Sequence, residues 1–169
     1  MSWLRFVKVS DQELIESTAA LAGEIWREHY TPFIGKAQVD YMLARFQSPD
    51  ALRAQIEHEG YHYFLFQNDA GHFIGYLGYV LTDRALFLSK IYLRAQDRGR
   101  GYARQAIAFL EAIAKRSGCS KITLTVNKNN SGSICAYEKL GFVKAASIVQ
   151  DIGNGYVMDD YRMEKPLDT

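Results

Sequence analysis

Twenty Lys and Arg against nineteen Asp and Glu leave a formal charge of +1 over 169 residues, of which 48% are apolar and three are Pro. At about 150 residues per domain this reads as one domain over 1–169, and a chain of that size buries roughly 70% of its unfolded surface, enough to fold without staples. The near-neutral sum excludes a strongly basic nucleic-acid binder and an acidic tail.

The charge is uneven. Residues 1–60 carry six Lys/Arg against nine Asp/Glu, a net of −3, while residues 61–169 carry a net of +4. The two cysteines, Cys119 and Cys135, are too few for a disulfide framework and lie in no metal-ligand spacing, so both read as reduced thiols. The first ten residues hold no apolar segment ending in a small-residue cleavage site, and no apolar run approaches the roughly 20 residues of a membrane span. The expectation is a soluble, cytoplasmic protein with no membrane or nucleic-acid partner.

In chain order, Arg5 to Val9 alternates as a short strand and stops at Ser10-Asp-Gln-Glu13, a capping box that opens a helix toward His29. Thr31-Pro32 is expected to break that helix and Gly35 to prolong the break. Val39, Met42, Leu43 and Phe46 mark a second helix ending near Ser48, and Ser48-Pro49 caps a third running to about His58. From Tyr61 the pattern turns β: Tyr61 to Gln67, the turn Asn68-Asp-Ala-Gly71, Phe73 to Leu81, and Ala85 to Leu93 form an antiparallel meander. The Gly-rich turn Arg98-Gly-Arg-Gly101 opens a helix from Tyr102 to Ser117, with Gly118 closing it. A strand from Lys121 to Val126, a helix from Asn130 to Leu140, and strands Phe142 to Val149 and Tyr156 to Met163 complete the order. This is a mixed α/β (α+β) chain: a mostly antiparallel central sheet flanked by helices, with one crossover that makes an internal parallel pair. A ligand site is expected where such strands part.

The sharpest motif is the strand Leu88 to Leu93 running through Arg94-Ala-Gln-Asp-Arg-Gly-Arg-Gly101 into a helix. Glycines at 99 and 101 can take positive φ and turn backbone N–H groups toward one point, and the helix N-terminus adds its unsatisfied donors and partial positive charge. Arg94, Arg98, Arg100 and Arg104 against Asp97 give +3 within eleven residues, which suits a diphosphate. No Lys-Ser/Thr pair follows the last glycine and G-x-G-x-x-G fails at Arg104, which disfavours a nucleotide P-loop and a dinucleotide fold. A second motif follows: Asn127, then Asn130 as a helix cap with Tyr137 two turns on along the same face, then Leu140-Gly-Phe142.

The spacing Gln96-x-x-Gly99-x-Gly101 resembles the pyrophosphate-binding motif of the GCN5-related N-acetyltransferase family, and Asn130, Tyr137 and Gly141-Phe142 resemble its second cofactor motif. The resemblance is motif-specific over about 85–163 and topological over the rest, and it implies that family's fold with acetyl-coenzyme A as cosubstrate; the Cys and His spacings lead to no expectation of a metal. It implies that Gln96, Arg98, Gly99, Arg100, Gly101, Tyr102 and Ala103 form the pyrophosphate site. The backbone of Ile91, Tyr92 and Leu93 would hold the acetyl carbonyl and pantetheine amides, Asn127 and Asn130 the pantetheine arm, and Tyr137 would sit beside the thioester sulfur.

Acyl transfer to an amine needs a neutral amine, a polarised carbonyl and a proton for the departing thiolate. A phenol of pKa about 10 can give that proton to a thiolate of pKa about 8.5, which assigns Tyr137 as the acid. Candidates for the base are Glu28, His29, Tyr30, Tyr79, Asp159 and Asp160, and no spacing separates them; Asp159-Asp160 reads equally as a turn. The acceptor is expected at the connection between the first and second helices, formed by Glu28, His29, Tyr30 and Phe33. Acid and aromatic groups there, with the −3 of residues 1–60, suit a cationic amine such as a polyamine, an amino sugar or a peptide amine. The sequence thus reads as an N-acetyltransferase acting by direct transfer. A ping-pong route through Cys119 or Cys135 is less favoured, and the alternative of another class is a non-catalytic acyl-coenzyme A-binding module. Strand edges after Tyr156 leave room for a homodimer.

Overall fold

In the computed structural model, which describes residues 2–168, the elements are β1 (Arg5–Lys8), α1 (Gln12–Ile34), α2 (Lys36–Phe46), α3 (Pro49–His58), β2 (His62–Gln67), β3 (Phe73–Leu81), β4 (Ala85–Leu93), a 3-10 turn (Ala95–Asp97), α4 (Tyr102–Arg116), β5 (Lys121–Asn127), α5 (Ser131–Lys139), β6 (Val143–Gly153) and β7 (Tyr156–Pro166). The strands hydrogen-bond in the order β1-β2-β3-β4-β5-β7-β6. The internal parallel pair expected from the crossover is β4–β5, with Ala85 opposite Lys121 and Leu88 opposite Leu124. By packing, the chain divides into two compact units, 1–80 with 90–105, and 81–89 with 106–169.

In the first unit β1 and β2 pair antiparallel, Phe6 opposite Phe66, and β2 pairs antiparallel with β3, Leu65 opposite Tyr76. Helix α1 starts one residue later than the capping box implied. Asp11 is the cap, its carboxylate accepting the Leu14 N–H at 2.9 Å. An aspartate caps as well as a serine and adds a negative charge at the positive end of the helix, so the neighbouring Asp displaces Ser10.

The expected break at Thr31-Pro32 does not occur: α1 continues through Pro32 to Ile34 and stops at Gly35, whose φ is 86°. A proline ring removes one intrahelical bond, and α1 tolerates that loss two residues from its end because Ile15, Leu21, Ala22, Ile25 and Trp26 are buried along its length. Ser48 caps α3 as expected, accepting the Ala51 N–H at 3.2 Å.

Beneath the helices runs a polar network in which each donor is assigned. Trp26 Nε1 donates to the Tyr76 hydroxyl at 2.8 Å and Tyr76 donates to Gln47 Oε1 at 2.8 Å. Tyr63 donates to Gln55 Oε1, and both glutamine amides donate to the Phe46 carbonyl, at 2.6 and 2.8 Å. Tyr63 and Tyr76 are almost wholly buried, so unmet hydroxyls there would be costly. Burial raises both phenols well above the ordinary tyrosine range, which keeps them neutral donors.

In the second unit β5 pairs antiparallel with β7, and β7 with β6. Lys165 Nζ reaches Glu111 at 2.6 Å and so ties β7 to α4. The last two strands run further than the sequence implied, and Asp159-Asp160 lies inside β7 rather than in a turn.

Candidate active site

In the first unit the turn after β4 adopts the conformation its glycines allow: Gly99 and Gly101 have φ of 78° and 81°. A Cβ at either would meet nothing within 4 Å, so the glycines are used for their backbone angles. The first intrahelical bond of α4 is Gln105 N–H to the Gly101 carbonyl at 3.2 Å, which leaves the N–H groups of Tyr102, Ala103 and Arg104 pointing past the helix end. Gln96, Arg98 and Arg100 are exposed around this turn, whereas the Tyr102 side chain is buried, so that residue offers its backbone.

The sequence counted four arginines here, and one is held in an ion pair. Arg94 Nε donates to Asp97 Oδ2 at 2.9 Å across the 3-10 turn, a local ion pair the linear charge count could not resolve. Arg98 donates to the Leu93 carbonyl at 3.3 Å, and its Nη2 lies 3.4 Å from His29 Nδ1. Burial and then the Arg98 charge lower the pKa of His29, with Glu28 opposing them.

The expected acceptor residues do not form a connection. Glu28, His29, Tyr30 and Phe33 occupy the last turns of α1, and the link to α2 is Gly35. Helical spacing nevertheless gathers aromatics: the Tyr30 and Tyr92 hydroxyls are 2.7 Å apart, both rings meet Trp26 edge-on, and His29 packs on Tyr30 and Phe33. Glu28 is exposed. Tyr92 was valued for its backbone alone, yet its side chain joins this cluster and also packs on Tyr76. Ile91 and Leu93, its neighbours on β4, are half-buried.

Sequence reasoning missed Lys90. Its ammonium donates to the Tyr63 hydroxyl at 2.8 Å and lies over the rings of Tyr61 and Tyr63 at 5.4 and 5.3 Å. Burial brings its pKa down to about 7, against a smaller upward pull from Glu59. The one available signal was a lysine that, with Ser89, interrupts the apolar run Leu86 to Leu93.

In the second unit Asn127 ends β5 and its Oδ1 accepts the Asn129 N–H at 2.8 Å, while Asn130 Oδ1 accepts the Ser133 N–H at 3.1 Å and caps α5. Both asparagines are buried. Tyr137 is half-buried on α5, its ring edge-on to Phe142 at 5.7 Å. Cys119 is buried and Cys135 exposed, both as free thiols.

The base candidates now separate. Tyr79 is buried and stacked on His62 and Phe64. Asp159 pairs with Lys128 at 2.9 Å. Asp160 is 8% exposed, and burial, aided by the Asp159 charge and opposed by Lys128, raises its pKa to about 6.

The chain is similar to several known acetyltransferases. An Arabidopsis thaliana protein described as N-alpha-acetyltransferase MAK3 is 33% identical over 67 residues, a match covering 40% of this chain and about a third, 34%, of that protein. The PaiA N-acetyltransferase of Thermoplasma acidophilum, solved with coenzyme A, superposes with a TM-score of 0.78 at 18% identity over 98% of this chain and 99% of that one. A GCN5-related N-acetyltransferase from Rhodopseudomonas palustris gives 0.78 at 18% identity over 99% and 96%. A dodecameric spermidine N-acetyltransferase from Vibrio cholerae gives 0.66 at 19% identity over 96% and 93%. The model of the acetyltransferase (GNAT) family matches residues 23–142, and the chain belongs to that family.

Proposed function

We propose that this chain, as one N-acetyltransferase domain over 1–169, moves the acetyl group of acetyl-coenzyme A directly to a primary amine. The observation that carries the reading is the positive-φ turn at Gly99 and Gly101 opening α4, a backbone anion cradle with Arg98 and Arg100 exposed beside it. The remaining assignments follow from the resemblance: Gln96, Tyr102 and Ala103 complete the diphosphate site, the backbone of Ile91 to Leu93 takes the thioester, and Asn127 and Asn130 face the pantetheine arm. Tyr137 protonates the leaving sulfur.

The aromatic cluster of Trp26, Tyr30, Phe33 and Tyr92 supports an acceptor with a cationic amine held against ring faces. Spermidine acetyltransferases among the similar structures favour a polyamine, and the N-alpha-acetyltransferase relative keeps a peptide amine in play. With both cysteines as free thiols and no helix of the described residues long and apolar enough to cross a membrane, we place the reaction in the cytoplasm.

The test is release of coenzyme A from acetyl-coenzyme A in the presence of spermidine, glucosamine, lysine amide and alanine amide. Turnover with at least one amine, and mass-spectrometric detection of its N-acetyl product, is expected. Equal release with and without every amine would contradict the proposal.

A further inference from the structure

Asp160 stands on β7 between two strands, opposite Asn127 of β5 and opposite Ile148 of β6. That central position buries it, and its Oδ1 is the one buried side-chain polar atom among the described residues without a hydrogen-bond partner. A buried carboxylate ordinarily has a cation or several donors to offset its lost hydration. Here the neighbouring cations are turned elsewhere. Lys128, the residue after Asn127, pairs with Asp159 at 2.9 Å and lies over the Tyr161 ring; Lys144 of β6 also lies over Tyr161, at 4.7 Å; Arg162 lies 3.6 Å from Glu164.

We propose that the missing partner is the acceptor itself: Asp160 binds the substrate ammonium and takes its proton before acyl transfer. This rests on the acetyltransferase reading and assigns the base, which the sequence left open among six residues. The location agrees with the role, because Asn127 ends β5 at the turn that leads into α5 and Tyr137.

The step balances as follows. The ammonium gives one proton to the Asp160 carboxylate, and the neutral amine attacks the thioester carbon. The C–N bond forms, the C–S bond breaks, the thiolate takes a proton from Tyr137, and the nitrogen releases its second proton to solvent, from which the Tyr137 phenolate is reprotonated. Asp160 returns its proton to solvent, so the sum is one amide, one thiol and one proton. A carboxyl group poised near pH 6 is ionised at neutral pH and is a stronger base than a solvated aspartate. Titratable and charged groups on β5, β6 and β7 and directly after β5 are Lys121, Lys128, Lys144, Asp151, Tyr156, Asp159, Tyr161, Arg162, Glu164 and Lys165. Of these, Asp159 and Lys128 bear on its pKa, in opposite directions.

The experiment compares wild type, Asp160→Asn and Asp160→Glu on the best amine of the panel above, with acetyl-coenzyme A affinity read separately by thermal shift. Wild-type kcat/KM should rise with pH through about 6, as Asp160 loses its proton. Asp160→Asn should lose that limb and about a hundredfold in kcat/KM while binding acetyl-coenzyme A within twofold of wild type, and Asp160→Glu should retain a limb at reduced rate. Activity of Asp160→Asn within threefold of wild type, or an unchanged acidic limb, would overturn the assignment alone. Loss of acetyl-coenzyme A binding together with activity in both variants would make Asp160 structural and also overturn it. Absence of amine-dependent turnover in wild type would instead bring down the acetyltransferase reading on which it rests.

Discussion

Replacing Tyr137 with Phe is expected to lower kcat about a hundredfold and leave the dissociation constant of acetyl-coenzyme A within threefold. The ring sits edge-on to Phe142, and that contact does not involve the hydroxyl, so the substitution removes one oxygen and little packing. On the role proposed above, that oxygen is the proton donor for the leaving sulfur. A positioned general acid contributes roughly 10²–10⁴-fold, and a thiolate of pKa about 8.5 leaves tolerably well unaided, which puts the expected loss at the lower end. Steady-state kinetics beside a binding titration separates the two effects. A kcat within threefold of wild type would remove Tyr137 from the chemistry, and a matching loss of binding would make it a pantetheine contact.

Gly75→Ala should be the most damaging single methyl in the first unit. A Cβ there would lie 2.3 Å from the Tyr92 carbonyl oxygen, 2.8 Å from the Phe66 ring and 3.0 Å from Leu93. Two of these neighbours are side chains that can shift, but the carbonyl is backbone, held while the Arg94 N–H bonds to the Ile74 carbonyl at 2.9 Å. Relieving the overlap therefore means moving β3 from β4, a loss of about 3 kcal/mol, or roughly 6–12 °C in Tm for a chain of this size. The displaced segment carries Ile91 to Leu93, so acetyl-coenzyme A affinity should fall as well. Gly78→Ala should destabilise as well, because its Cβ would lie 2.7 Å from the Tyr63 ring, which is buried and held by Gln55 and Lys90. A Tm for Gly75→Ala within 2 °C of wild type would contradict the close approach.

The parts legible in the sequence were those set by local chemistry. Glycines 99 and 101 declared a positive-φ turn, Ser48-Pro49 a helix start, and the bounds of β3 and β4 followed from their apolar runs. Where two local signals competed, tertiary packing decided: Pro32 argued for a break, and the buried face of α1 carried the helix past it. Ser10 and Asp11 competed for one cap, and the charged residue took it.

What stayed hidden depended on partners far apart in the chain. The Trp26–Tyr76 bond spans 50 residues and Lys90–Tyr63 spans 27, and no spacing rule links such pairs. Asp159 and Asp160 look alike as a dipeptide. Strand alternation sends one outward to Lys128 and buries the other, and that difference singles out Asp160.

The central claim is that acetyl-coenzyme A sits on the Gly99–Gly101 turn, and its most direct test is a thermal-shift titration of wild type beside Arg98→Ala/Arg100→Ala. A ligand that binds only the folded state adds about 2.7 kcal/mol at a hundredfold excess over its dissociation constant. The account predicts a saturable rise in Tm, with the midpoint moved to at least tenfold higher ligand in the double variant, if the arginines act on the diphosphate as proposed. A folded wild type whose Tm does not move at millimolar acetyl-coenzyme A would contradict it.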